Sequence, residues 1–206
     1  MKNILIVIFA ASSFLISCSS HHKKLLIFAS NDIKVDEGQK NVTVTEGTTH
    51  HEKELEWNNG DPQSLSAQTP KNKVTVEIRE DGYYILNLKP DTVVGSLQQV
   101  GTSERSSRIS QEQMKKSLDS LQRLVVGNTN GFTGKVFFIP PGSSARISDQ
   151  VNIKVFGPYT PVPSAFDASP YAQVFKFYTN DEAREIIAKL IQATKADDEE
   201  ESPKKK

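Results

Sequence analysis

Few residues of this chain are able to do chemistry, and spacing decides most cases. Its four histidines stand in two adjacent pairs, His21-His22 and His50-His51. Neighbouring side chains of a strand point to opposite faces, so an adjacent pair does not readily share one metal. The alternate set His50, Glu52 and Glu54 falls on a single strand face and offers one imidazole and two carboxylates, donors that suit a divalent ion. A solvated polar face accounts for the same alternation more simply, and no metal or cofactor is expected. Trp57, the only tryptophan, is followed by Asn58, Asn59, Gly60 and Asp61. It has the ring to stack on a sugar, although a lone tryptophan at a strand end more often plugs a core.

The other catalytic signatures close quickly. Gly134-Lys135 ends like a phosphate-binding loop, but Thr129 stands where its first glycine belongs. Val136 also replaces the magnesium-binding hydroxyl, and a strand follows where a helix should. No serine sits between glycines in nucleophile-elbow spacing. The carboxylates gather at Asp36-Glu37, on an outer helix face and in the tail, and none ends an apolar strand, where burial would raise its pKa. No catalytic residue is expected, so the chain reads as a non-enzyme.

One thiol remains. Cys18 is the only cysteine among 206 residues, which excludes an intrachain disulfide. It closes a short N-terminal segment with Lys2 as the positive start, residues 4–11 as the apolar core and small polar residues after them. Ser12, Ser13 and Ser17 interrupt the segment, and His21, His22, Lys23 and Lys24 end it, leaving it short of the roughly 20 apolar residues that a spanning helix needs. It reads as a cleaved signal. Leu15-Ile16-Ser17-Cys18 resembles the lipobox of bacterial lipoproteins: a branched apolar residue, a small or apolar one, then Gly, Ala or Ser, then Cys. The resemblance implies cleavage between Ser17 and Cys18, a diacylglycerol thioether on Cys18 and acylation of the new amino terminus. Two or three acyl chains anchor stably where one does not, since each buried methylene contributes about 0.8 kcal/mol. With Ser19 rather than Asp after the cysteine, the resemblance further implies the outer membrane of a two-membrane cell.

Charge argues against other partners. The 25 basic and 25 acidic residues cancel, whereas nucleic-acid binding calls for a basic stripe, so no nucleic-acid partner is expected. Lys23 and Lys24 stand where they could meet anionic headgroups or, equally, begin a strand. From Cys18 to the apolar run at 25–28 is seven residues, a reach of at most about 25 Å. The domain is expected to sit close to its membrane.

The elements that would position any site read as α+β. Strands are predicted at 25–29, 42–45, 53–57, 135–139, 151–156 and 172–178. The clearest local pattern is a hairpin over 74–89, in which a three-residue loop with Gly82 pairs Ile78 with Tyr84, Val76 with Leu86 and Val74 with Leu88. Its other face, carrying Thr75, Glu77, Arg79 and Asn87, should meet solvent. Two amphipathic helices should cover an antiparallel sheet. The first spans about 110–126, capped by Ser110 and Gln113, with Met114, Leu118, Leu121 and Val125 on one stripe. The second spans about 180–194, capped by Thr179 and Glu182, with Ala183, Ile186, Ile187, Leu190 and Ile191 inward.

The resulting organisation is a signal peptide (1–17), an acylated tether (18–24), one α+β domain (25–194) and a disordered charged tail (195–206). Residues 58–73 and 157–171 are expected to be surface loops; the second holds four prolines and three aromatics. Tyr159, Phe166 and Tyr171 are its candidate contacts for an envelope protein partner, because aromatics concentrate at interface centres. The functional expectation is a lipid-anchored structural or interaction module of the bacterial envelope. Its rivals are an envelope binder of small lipid or cell-wall fragments and, further off, a hydrolase.

Overall fold

The computed structural model describes residues 21–38, 40–98, 111–127, 135–163 and 165–200. Among them run β1 (Lys23–Ala29), β2 (Ile33–Asp36), β3 (Asn41–Val44), β4 (His51–Trp57), β5 (Gln63–Gln68), β6 (Lys73–Ile78), β7 (Gly82–Asn87) and β8 (Val93–Leu97). Then follow α1 (Gln111–Val125), β9 (Val136–Ile139), β10 (Ser143–Ser148), β11 (Ile153–Phe156), β12 (Gln173–Thr179) and α2 (Asn180–Glu200). The strands form three four-stranded sheets, ordered β10-β7-β1-β4, β2-β3-β5-β6 and β11-β12-β8-β9.

The layering follows from β1. Leu25, Ile27 and Ala29 bury one of its faces in a core with Val42, Val44, Leu65, Ala67, Val76 and Ile78 of the second sheet. Leu26 and Phe28 bury the other against Phe175 and Phe177 of the third sheet. A strand covered on both faces must read as an unbroken apolar run, which explains the sequence LLIFA. Complete burial of Leu25, Ile27 and Phe28 contributes roughly 1.5–3 kcal/mol for each side chain. In the third sheet, Gly95 of β8 faces Phe177 so closely that a Cβ would collide with the ring, which accounts for a glycine inside a strand.

The α+β class holds, but a single antiparallel sheet does not. All three sheets are mixed, with parallel pairs β1–β7, β3–β5 and β11–β12. The 74–89 hairpin is overturned: β6 pairs with β5, while β7 lies between β1 and β10 in another sheet. The physical reason lies in β7, where Tyr83 and Ile85 are as apolar as Tyr84 and Leu86. A hairpin with one wet face would expose them, whereas β7 is buried along its whole length, Asn87 included. Val76 and Ile78 still meet Tyr84, Leu86 and Leu88, but across stacked sheets rather than along a ladder.

The polar segment 58–73 is likewise not all loop, since β5 runs through it with Gln63, Leu65 and Ala67 inward. The small residues between them gave the alternation a low apolar count. Strands β2, β8 and β10 also lie outside the predicted set. Both helices stand where expected, with α1 and α2 against each other, α2 beside β12 and α1 touching β8. Leu124, Glu182 and Ala183 are their buried residues among those whose side chains are described. Thr179 caps α2 by accepting the Glu182 N–H at 3.0 Å. The helix continues past 194 to Glu200 because residues 195–200 contain no glycine or proline to stop it. Residues 201–206 of the expected tail lie outside the described residues, as does the Ser110 cap of α1.

Candidate functional site

Topology gathers several strand ends at one pole. Parallel β1 and β7 finish together, with the Leu88 N–H donating to the Phe28 carbonyl at 2.8 Å. Antiparallel β4 begins there, since His51 lies opposite Ala29. Parallel β11 and β12 place Phe156 opposite Lys176, so residues 157–159 arrive at the same pole, and α2 starts from it. The buried Asn87 amide shapes the next turn, donating to Asp91 O and Ile139 O at 2.8 Å and accepting the Lys89 N–H at 2.9 Å.

Two buried lysines face each other's surroundings here. Lys89, 5% exposed, donates to the Ala29 carbonyl at 3.1 Å and lies 3.2 Å from His50 Nδ1. His50 Nε2 is 2.8 Å from Glu52 Oε1. With Lys89 as the ammonium donor, this network assigns His50 the neutral tautomer that accepts at Nδ1 and donates from Nε2. The imidazole sits between Phe28 and Tyr159, with each ring centroid 5.9 Å away. Lys176, 4% exposed, donates to Gly157 O at 2.7 Å and Phe177 O at 2.8 Å, with Glu182 Oε1 at 3.5 Å. Burial pushes both lysines below the ordinary lysine value, with Glu182 and Glu52 opposing it. Burial, with Glu182 adding, raises Tyr178 to about 12.

Over this cluster lies a strained loop. Tyr159 has a φ of 62°, a left-handed value unusual outside glycine, and the residue is 53% exposed. Its hydroxyl lies 3.2 Å from Thr179 Oγ1, and Lys89 Nζ approaches its ring centroid to 5.7 Å. Gly157 is pressed against Glu52 and Phe28, leaving no room for a Cβ. Glu182 Oε2 and Asn180 Oδ1 have no hydrogen-bond partner among the described residues. Chemically, Lys89–His50–Glu52 is a proton-sharing chain, but a nucleophilic amine also needs an opening to substrate. Two cavities lie at this pole and its flank. Lys89 lines the first, but its ammonium is turned to Ala29 O and His50, and neither cavity is lined by His50, Glu52, Lys176 or Glu182 among the described residues.

The first cavity is a cleft of about 300 Å³ between the first and second sheets, lined by Val44, Val74, Leu88, Pro70, Pro90 and Pro141 among others. It sits at the same pole, past Ser30 at the end of β1, and has the size of a small ligand pocket. The second, about 520 Å³, lies beside Phe166 and Tyr171.

The candidate contact residues divide between these places. Phe166 stacks on Tyr171 at 5.9 Å and meets Phe156 edge-on at 5.0 Å, whereas Tyr159 belongs to the Lys89 cluster. Ser17 and Cys18 lie outside the described residues. His50 and Glu52 bond each other, while Glu54 accepts from the Tyr83 hydroxyl and pairs with Lys24; no group of three metal-binding side chains occurs among the described residues. Trp57 packs on the core. Lys23 is not available to headgroups, being 1% exposed and bonded to Asn59 O at 2.7 Å. The residues missed were Lys89 and Lys176; only the second had a visible signal, a lysine inside the apolar run VFKFY, whereas Lys89 is followed by Pro90 and Asp91. No protein-family model, curated protein or solved structure compared with the chain matches it.

Proposed function

We propose that this chain is a lipid-anchored domain of the bacterial envelope, held at the outer membrane in a two-membrane cell, that works by binding and not by catalysis. The observation that carries the anchor is Leu15-Ile16-Ser17-Cys18 together with the start of β1 at Lys23, a distance of five residues or at most about 18 Å. Binding an envelope protein is supported by the exposed Tyr159, which a buried ion cluster holds in a strained backbone. Rings fixed in this way lose little entropy on docking. Replacing Cys18 by alanine should abolish labelling by a clickable fatty acid and free the domain from membranes; persistent labelling refutes the anchor. Crosslinking in intact envelopes should recover a partner with the native chain and lose it with Tyr159→Ala at unchanged membrane level. Equal recovery from both removes Tyr159 from the interface.

A second reading, binding of a small ligand, is favoured by the cleft between the first and second sheets. An interaction module with a filled core would have no need of it.

A further inference from the structure

We propose that this cleft takes a single aliphatic acyl chain ending in a carboxylate, and takes it on the side of the domain turned away from its own anchor. The proposal deepens the ligand-binding reading and rests on it. Position comes first. β1 begins at Lys23, beside the tether, and Ser30 lines the cleft just past its other end, a full strand or about 20 Å away. The chain leading back to Cys18 leaves β1 at Lys23, at the other end of that strand, so acyl chains proposed on Cys18 are poor candidates to fill this space themselves.

Chemistry comes next, because three of the polar side chains in the lining, those of Thr45, Thr69 and Lys89, are already engaged. Thr45 Oγ1 accepts from Asn31 Nδ2 at 2.9 Å. Thr69 Oγ1 accepts the Asn72 N–H at 3.0 Å and donates to the Asn72 carbonyl at 3.2 Å. The Lys89 ammonium is turned to Ala29 O and His50. The apolar groups Val44, Val74 and Leu88, with three proline rings, are left to meet a ligand, and transfer of apolar surface from water is their only strong contribution. Among the described residues, no aromatic ring lines the cleft to stack on a sugar, and its one buried cation, Lys89, is held by Ala29 O and His50. Lys71, exposed on the rim, complements a carboxylate left at the mouth. Glu46 on the same rim repels a doubly charged head more strongly than a singly charged one.

The test uses the full acylated protein in phosphatidylcholine nanodiscs with saturated fatty acids of increasing length. Affinity should rise about tenfold for each two methylenes added. It should level off once the chain fills a space worth roughly ten waters. A diazirine-bearing fatty acid should crosslink to residues 44–48 and 69–74. Thr48→Trp, on the exposed rim, should block the cleft and cut this labelling at least severalfold with an unchanged melting temperature. Lys71→Glu should weaken the fatty acid severalfold but leave the matching fatty alcohol unaffected, which separates the carboxylate from the chain. Crosslinks at the Cys18 pole, or beside Phe166 and Tyr171, overturn the proposal. If a cell-wall muropeptide displaces a cleft probe that fatty acids do not, ligand binding survives and the acyl assignment falls.

Discussion

The two ends of β1 treat buried lysines in opposite ways. At the near end, Lys23 is fully buried, but its ammonium reaches Asn59 O and pairs at 3.1 Å with Asp81, a carboxylate 40% exposed. Asp81 also takes His21 at 2.8 Å, and that hydrogen bond, with Lys23 assisting, holds its carboxyl below the usual range. At the far end, Lys176 faces Glu182, at 8% exposure, and Lys89 faces the half-buried His50, whose partner Glu52 reaches solvent. Around Lys23, Asn59 and part of the Asp81 carboxylate reach solvent, although Asp81 Oδ1 itself is enclosed, whereas the acceptors around Lys176 are buried. The near end is therefore a fastening for the incoming chain, whereas the far end is a desolvated cluster whose members depend on one another.

This difference is breakable by a matched pair of substitutions. Lys176→Met strands Gly157 O, Phe177 O and the Glu182 carboxylate, whose Oε2 is already without a partner, and should cost about 3–5 kcal/mol. Lys23→Met, at an equally buried lysine, leaves Asn59 O on an exposed residue and an Asp81 carboxylate whose Oδ1 is enclosed but whose Oδ2 keeps His21, and should cost less, about 1–3 kcal/mol. Urea denaturation of both variants measures this directly, and equal losses would erase the distinction between the two ends.

How much of this was legible in the sequence depends on whether a signal is local. The run LLIFA, the positions of α1 and α2 and the Thr179 cap are local and stand as expected, but the α1 stripe is shifted: Leu124 is buried, while Leu118, Leu121 and Val125 are half-buried. Half of the expected capping box is absent because Glu182 turns its carboxylate to Lys176 instead of back to the cap. The hairpin failed because complementary apolar faces identify residues that meet, not whether they meet along a ladder or across stacked sheets. Val76 and Leu86 satisfy both descriptions. The far cluster draws on β1, β4, β7, β11, β12 and α2, so no stretch of sequence shows it whole. Only the oddity of a lysine inside an apolar run hinted at it. The cleft is formed by loops from two sheets and left no trace in composition.

A second difference between the ends appears on changing pH. Lys89 has a folded pKa below its unfolded value, so between those values the unfolded chain binds more protons and stability rises with pH. The cost of burying its charge is present in full below the folded value and is relieved as pH rises through it, up to about 10.4, where the unfolded lysine also deprotonates. Lys89→Met should cost about 1–3 kcal/mol at neutral pH, because Ala29 O and His50 Nδ1 lose their donor. Its deficit should widen on the alkaline side, since only the native chain gains there. Asp81 behaves in the opposite sense: its depressed pKa contributes stability above the usual carboxylate range that is lost in acid, and Asp81→Asn should flatten the acid limb alone. Parallel profiles for the two variants would mean that the ends do not differ electrostatically.

The smallest effect separates the loop's strain from its contacts. Tyr159 holds a left-handed backbone, and its ring lies against His50 and Lys89. Both Tyr159→Ala and Tyr159→Gly remove the ring, but only glycine adopts that backbone without penalty, at a saving of about 1–2 kcal/mol that its greater unfolded-state entropy partly cancels. Tyr159→Gly should therefore be the more stable of the two by about 1 kcal/mol or less, a reversal of the usual order of these residues. If alanine proves the more stable, the backbone relaxes once the ring is gone, and the strain belongs to the ring's anchorage on the far cluster and not to the loop. Either ordering is read from the same melts, so the pair assigns the strain even where the total loss is modest.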